Sequence, residues 1–129
     1  MNIIMIILQI SLAIGFILFW IYFFLVDNKD PDNSEIYLAF ERSFPIPDLG
    51  WIVPTLFISA ICNLINEKIS FIFSLISGGS LIFLGLLDLS FNIQQKKLKT
   101  KTGLLFSFII NIICLVFGAI FIFYGWMNL

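Results

Sequence analysis

The fold is decided around the stretch Glu41-Arg42-Ser43-Phe44-Pro45-Ile46-Pro47-Asp48-Leu49-Gly50-Trp51. It is the densest polar and proline-broken sequence in an otherwise apolar chain. A proline fixes the backbone and lacks the amide hydrogen that a helix interior needs. We therefore expect Pro45 and Pro47 to interrupt any helix, and Asp48 or Gly50 to cap the helix that follows.

The composition indicates lipid rather than water as the surroundings of the chain. Of 129 residues, 60% are hydrophobic and 12% are charged, and the mean hydropathy is +1.08. A soluble domain would carry about 25% charged residues. The net charge of -1 supplies no basic surface for nucleic acid. We expect a protein whose main partner is the lipid bilayer, with no nucleic-acid partner.

Four apolar runs predict four membrane-spanning helices, at about residues 3–26, 50–66, 69–91 and 103–127. The first would be about 36 Å long as a helix, against a hydrocarbon core of about 30 Å. No Lys or Arg precedes it and no small-residue cleavage site follows it, so we expect it to remain as a membrane anchor. The predicted fold is all-α, a single membrane domain over 1–129 folded as an antiparallel four-helix bundle.

The long polar segment between the first two spans contains a predicted short helix. Asn33 or Ser34 is placed to cap it, Glu35 lies in its first turn, and Phe44 ends it. One face of this helix would carry Ile36, Tyr37, Phe40 and Phe44, with Glu35, Glu41 and Arg42 turned away from it. The pattern is typical of a helix lying in the membrane interface. An irregular loop anchored by aromatic side chains is the alternative.

The distribution of lysine and arginine predicts the orientation. The first and third loops hold six of these residues, and the second loop holds only Lys68. Because positively charged loops stay in the cytoplasm, we expect the first and third loops inside a cell membrane and both termini outside. We expect Lys97, Lys99 and Lys101 to bind anionic lipid headgroups. Ion pairing with the acidic first loop is the alternative.

Small or polar residues form stripes along the predicted spans. The third-span stripe is Ser74, Gly78, Leu81, Gly85, Asp88 and Asn92, within about 80° of arc. The others are Ser107, Asn111, Cys114, Gly118, Phe121 and Gly125; Thr55, Ser59, Cys62 and Asn66; and a thinner set, Gln9, Ala13, Phe16 and Trp20. In lipid, small residues let helices approach closely and polar ones hydrogen-bond across the contact. We expect the stripes to face each other, as packing seams or around a polar cavity or oligomer interface.

Asp88 is the most informative ionisable residue, because a carboxylate within a span is a candidate functional group. It lies near the cytoplasmic end of the third span, where we expect an ion pair with Arg42 or a hydrogen bond to the first-loop backbone. A carboxylate that binds a ligand or relays protons, and a simple interfacial charge, are the alternatives. The candidate cytoplasmic-side binding cluster is Glu41, Arg42, Asp48, Asp88, Asn92 and Asn111.

The residues that most catalytic sites use are scarce. The chain has no histidine, the commonest general base and metal ligand. Its two cysteines, Cys62 and Cys114, are far from a CxxC spacing, and we expect both to pack in the core. We expect no enzyme activity, no catalytic residue, no metal and no cofactor.

Two short motifs carry a family resemblance. Phe44-Pro45-Ile46-Pro47-Asp48 precedes the second span, and Leu86-Leu87-Asp88-Leu89-Ser90-Phe91-Asn92 closes the third. With the four-span layout, they resemble a group of small four-span prokaryotic membrane proteins of uncharacterised function. The resemblance implies no activity, but it singles out Asp48 and Asp88.

Two functions fit these patterns. The first is a non-enzymatic structural or accessory membrane protein, or a homo-oligomer, whose stripes are closed by direct side-chain contact. The second is a small-molecule or lipid-binding or transport protein with a cytoplasm-facing polar pocket near Asp88, Arg42 and Asn111. Tight packing of Ser74, Gly78, Asn111 and Cys114 without a cavity would exclude the second function.

Overall fold

The computed structural model describes residues 1–95 and 101–129, and side chains for all of these except 101–104. Within the described chain the fold is all-α, with no strand. The helices are α1 (Ile3–Leu25), α2 (Glu35–Glu41), α3 (Pro45–Pro47), α4 (Val53–Leu64), α5 (Ile69–Gln94) and α6 (Lys101–Asn128). A 3-10 turn (Asp27–Lys29) follows α1, and one turn of π-helix (Asp48–Ile52) joins α3 to α4.

In residues 1–95 and 101–129, four helical stretches are long and apolar enough to cross a membrane. They are Ile3–Lys29, Glu35–Leu64, Ile69–Gln94 and Leu105–Asn128. Each overlaps one of the four predicted runs, so the prediction of four long apolar helices is confirmed. The second stretch begins well before the predicted start at residue 50, because the proline segment is itself helical.

The helical proline segment corrects the prediction that Pro45 and Pro47 interrupt helix. Both prolines lie in the first turn, where backbone amides have no partner within the helix and a missing amide costs nothing. The π-turn follows, with the Val53 amide donating to the Asp48 carbonyl. It lies directly before Pro54, whose ring excludes a regular bond to the fourth residue back. Asp48 is therefore a buried residue within the helical run and not its cap.

The first-loop helix is present but is rotated relative to the prediction. Ser34 caps α2, since its hydroxyl accepts from the Tyr37 amide at 3.1 Å. The helix ends at Glu41, not at Phe44. Of the predicted apolar face, Phe44 is buried and Tyr37 and Phe40 pack against the same cluster, as predicted, whereas Ile36 is exposed. Leu38 and Glu41, outside that face, are also buried. The rotation follows from packing, because Leu38 joins a cluster of buried aromatic side chains, Trp20, Phe23 and Phe44.

The long helices pack in chain order. α1 lies against α4, α4 against α5, and α5 against α6, whereas α1 and α6 make no comparably close approach. Side chains of both still reach a shared core, where Ala13 and Phe16 meet Cys114 and Phe121. One side of the arrangement is thus more open than the other three.

Glycines bring α5 and α6 into close contact. A Cβ on Gly78 would lie 2.7 Å from the Gly118 carbonyl oxygen, and a Cβ on Gly118 would lie 2.8 Å from the Gly78 carbonyl oxygen. A Cβ on Gly125 would lie 2.6 Å from the Phe71 carbonyl oxygen. In these contacts, higher residue numbers on α5 pair with lower residue numbers on α6, so the two helices are antiparallel. The predicted stripes therefore face each other, and no side chain larger than hydrogen fits between these backbones.

Hydrogen bonds between helices close the end of the molecule that contains Asn63. Its amide nitrogen donates to the Tyr124 hydroxyl at 2.9 Å, which joins α4 to α6. The Ser59 hydroxyl donates to the Ser70 carbonyl and the Ser74 hydroxyl to the Phe121 carbonyl, each at 2.9 Å. In this half the hydroxyls of the stripe residues Ser59 and Ser74 are bonded to backbone carbonyls of a neighbouring helix, as expected of a packing seam.

Candidate ligand-binding cavity

The half of the molecule opposite to the Asn63 end contains a cavity of about 190 Å³. Its lining comes from α1, α2, the π-turn, α5 and α6. Five lining side chains of the described residues carry polar groups: Trp20, Glu41, Asp48, Asp88 and Asn111. The rest of the lining is apolar or glycine, apart from the thiol of Cys114. The cavity is therefore an apolar chamber with a few fixed polar groups, the usual character of a small-molecule site.

Asp48 is the central polar group of the cavity. The π-turn directs it inward, and only 3% of its surface is exposed. Its Oδ2 accepts a hydrogen bond from Trp20 Nε1 at 2.9 Å, whereas Oδ1 has no partner among the described residues. A buried polar atom without a partner costs about 1–3 kcal/mol. The carboxyl group can therefore accept a further hydrogen bond.

Asn111 supplies the complementary group from α6. It is 2% exposed, and its Nδ2 has no hydrogen-bond partner in the described part of the chain. It follows Ser107 on the α6 stripe, and Cys114 on the next turn also lines the cavity. The cavity wall thus contains one acceptor without a donor, on Asp48, and one donor without an acceptor, on Asn111.

Four of the six predicted site residues line this cavity: Glu41, Asp48, Asp88 and Asn111. Glu41 lies on the inward face of α2 and is 8% exposed, contrary to the prediction that it turns away from the apolar face. Asp88 lies one turn after Gly85, which also lines the cavity. Asn92 is fully buried one turn further along α5 and is not part of the lining.

Arg42 is elsewhere, and the predicted ion pair with Asp88 is wrong. Its Nε donates to Asn28 Oδ1 at 2.7 Å, and its Nη1 lies 3.8 Å from Glu35 Oε2. The end of α2 explains the difference. Arg42 follows Glu41, the last residue of α2, and its exposed side chain lies against Glu35 and the turn after α1.

The predicted lipid-headgroup lysines lie at the edge of the described chain. Lys97 and Lys99 lie outside the described residues, and Lys101 begins α6 with its side chain outside the description. Their binding to lipid headgroups stays a prediction.

Trp20 is a site residue that the sequence analysis did not assign. It belongs to the thin α1 stripe, and its offset of four from Phe16 already indicates that it faces inward. Its role depends on Asp48, 28 residues further along the chain. Such a pairing depends on tertiary packing, which no local pattern contains.

The cavity has a mouth between α1 and α6, where these helices are not in close contact. Gly15 on α1 and Ile113 on α6 line the cavity and are also exposed at the outer surface. A Cβ on Gly15 would meet nothing within 4 Å. The absence of a side chain at Gly15 therefore helps to keep this side open.

A second, wider groove reaches the same carboxyl group from another direction. It has a volume of about 640 Å³ and lies between the proline segment and α5. It shares Phe44, Asp48 and Leu84 with the first cavity. These three residues therefore line both spaces.

The arrangement suits binding by shape, aromatic contact and one or two hydrogen bonds. Among the described residues, no group of three or more His, Cys, Asp or Glu side chains could hold a metal ion. Cys62 and Cys114 are free thiols. Comparison of the chain with protein-family models, with curated proteins and with solved structures found no match.

Proposed function

We propose that this chain is an integral membrane protein that binds a small molecule in the cavity beside Asp48. Its four long helices form an antiparallel bundle across the lipid bilayer. Large apolar side chains all round the outside support this placement, among them Leu18, Phe83 and Ile112, each more than half exposed. Contact of such a surface with water is unfavourable, whereas contact with lipid tails is not.

The cavity lies in the cytoplasmic half in this proposal. It occupies the end of the bundle next to the first and third loops, which hold six of the seven Lys and Arg residues. An excess of these residues in short loops is typical of the cytoplasmic side. The second loop, at Glu67, and both termini are then outside the cell.

One observation carries the proposed function. Asp48 and Asn111 line a single cavity, and each keeps a buried polar atom without a hydrogen-bond partner among the described residues. Gln9 Oε1 is also buried and unpaired, but it is not in the lining of this cavity. An unpaired atom alone does not indicate a site. An acceptor and a donor without partners in the lining of one cavity suit a ligand that carries both a donor and an acceptor.

The volume limits the size of the guest. Drug-sized ligands occupy pockets of about 300–1,000 Å³, whereas an apolar cavity of about 150 Å³ can hold benzene. At about 190 Å³ the cavity suits one ring with a short polar substituent, or a branched chain of similar size. A complete membrane lipid does not fit.

The path of access runs through the bilayer. The mouth between α1 and α6 faces the surface that lipid covers in this proposal, at Gly15 and Ile113. An apolar or amphipathic molecule would concentrate in the membrane before it reaches this opening. Binding from the bilayer is also compatible with a role in transport.

The structural role considered from the sequence has support in the half of the bundle that lacks the cavity. At Ser74 and Gly78 the stripes are closed by direct contact, as a packing element requires. At Asn111 and Cys114 they open onto the cavity. The stripe residues meet within one chain, so they do not themselves favour a contact between copies. A protein with a purely structural role would not need the cavity.

Substitution of Gly15 tests the proposal. Leucine at this position fits at the mouth without displacing a neighbour, because the Cβ position is open. Gly79→Leu is the matched control, since it is another exposed helical glycine with no atom within 4 Å of its Cβ, and it lies outside this cavity. Small molecules retained by the three purified proteins are compared by native mass spectrometry after gentle detergent extraction.

The wild-type protein and Gly79→Leu are expected to carry the same small guest, and Gly15→Leu is expected to have lost it. Thermal unfolding of all three proteins checks that Gly15→Leu is folded. Retention of the same molecule by a folded Gly15→Leu variant, or no guest on any of the proteins, would argue against this cavity as a binding site.

A further inference from the structure

We infer that the ligand of this cavity is a small organic cation, such as an ammonium group attached to a single ring. The inference rests on the proposed function and adds the charge class of the ligand. Its starting point is Asp48, a buried residue of which only 3% is exposed. The partner of this group is the neutral indole N–H of Trp20, and Oδ1 remains open.

The described part of the chain offers no positive charge to Asp48. Among the described residues, the cavity lining includes no lysine or arginine. Arg42, six residues away in sequence, is engaged by Asn28 and Glu35 on the outside. A buried carboxylate in a protein is normally accompanied by a counter-charge. Here the position for that charge is within the cavity, where a bound ammonium would donate to Oδ1.

The aromatic lining favours the same class of ligand. Phe16, Phe19, Trp20 and Phe44 all line the cavity. The faces of aromatic rings carry partial negative charge, and cages of such rings with a carboxylate recognise organic ammonium groups. Phe19 and Phe23 each lie edge-on to Trp20, with ring centroids 5.1 Å and 5.2 Å from it. These contacts hold the indole in the position that donates to Asp48.

A metal ion is a poorer match. Hard cations require several oxygen ligands around one point. The carboxyl side chains of the lining do not form such a group, since no metal-holding cluster exists within the described residues. An organic cation needs only one carboxylate oxygen and apolar walls, which this cavity supplies.

Three probes of similar shape and different charge test the inference. They are benzylammonium, benzyl alcohol and benzoate, titrated at pH 7 into the protein in phosphatidylcholine nanodiscs, with empty nanodiscs as the blank. Affinity is measured by calorimetry for wild type, Asp48→Asn and Asp32→Asn. Asp48→Asn removes the charge and keeps the acceptor for Trp20, whereas Asp32 is exposed in the first loop.

Benzylammonium is expected to bind wild type with a Kd about tenfold or more below that of benzyl alcohol, the ratio that a hydrogen bond to a charged group gives. Asp48→Asn should abolish this preference while benzyl alcohol still binds, and Asp32→Asn should retain it. Equal binding of amine and alcohol, or tightest binding of benzoate, would overturn the charge assignment but leave the proposed function standing.

A preference for benzylammonium that survives in Asp48→Asn would overturn the role of Asp48. Failure of all three probes to bind wild type would contradict the cavity as a site, and the charge assignment with it. If Asp48→Asn does not fold, the wild-type probe series still decides the charge class, because that comparison needs no variant.

Discussion

Replacing Gly78 with alanine should weaken the contact between α5 and α6. The new Cβ would lie 2.7 Å from the Gly118 carbonyl oxygen and 2.9 Å from the Ile122 amide nitrogen. Ordinary contacts between heavy atoms begin at about 3.5 Å, so the helices must separate by about 0.8 Å. Both neighbours are backbone atoms and cannot rotate away. The added methyl group therefore separates the two helices and weakens the contacts along their interface.

The magnitude follows from two opposing effects. Overpacking a tight interface costs about 1–3 kcal/mol. Alanine in a helix gains about 0.5–1 kcal/mol over glycine, whatever its contacts. Gly79→Ala, one residue along α5, has the same helical gain and meets no atom within 4 Å. We therefore expect Gly78→Ala to be less stable than Gly79→Ala by about 1–3 kcal/mol.

The measurement is reversible unfolding in mixed micelles, followed by far-ultraviolet circular dichroism as the fraction of denaturing detergent rises. Comparing the two variants with each other removes the helical preference of alanine. Equal free energies of unfolding for Gly78→Ala and Gly79→Ala, or a more stable Gly78→Ala, would refute the close approach of α5 and α6.

Three further predictions concern the closed end, the Asp48 pair and the orientation. Asn63→Leu should lower the free energy of unfolding by about 1 kcal/mol in the same micelle assay, because it removes a hydrogen bond between α4 and α6. Trp20→Phe should cost about 1–3 kcal/mol by leaving the Asp48 carboxyl without its donor; the same change in an Asp48→Leu background should cost less, and equal costs would exclude coupling. A cysteine at Glu67 should react with a membrane-impermeant maleimide on intact cells, and labelling only after permeabilisation would reverse the proposed orientation.

The long helices were predictable because they depend on composition alone. Runs of about 20 apolar residues with few charges have few alternatives to a helix. The stripes were also predictable, since the helical period places Gly78 and Gly85 on one face, and small residues there favour close packing. Their register against α6 is a property of the packed structure.

The proline segment shows where local rules leave a choice. Pro45 and Pro47 are compatible either with a break or with the first turn of a helix, and the two outcomes differ in where Asp48 points. The structure has the helical outcome, with the π-turn that follows it. Tertiary contact with Trp20 on α1 accompanies this choice, so the first-loop sequence could not decide it alone.

The candidate site was predictable as a set of residue types but not as a set of contacts. Glu41, Asp48, Asp88 and Asn111 were assigned from the sequence because each is polar beside or within an apolar run. The partner of Arg42 was not predictable, because the end of α2 at Glu41 and the path of the turn after α1 depend on tertiary packing. Arg42 lies just past the helix end and contacts Glu35 and Asn28.

The central claim is that a small molecule enters the cavity between α1 and α6 and reaches Trp20. Its most direct test is the fluorescence of Trp20 in a Trp51→Phe, Trp126→Phe background, titrated with the neutral quencher 4-bromobenzyl alcohol in nanodiscs. Trp20 is buried, whereas the two replaced indoles are exposed. The account predicts saturable quenching that Gly15→Leu abolishes and Gly79→Leu retains. Quenching that rises linearly with probe and is the same with and without Gly15→Leu would contradict it.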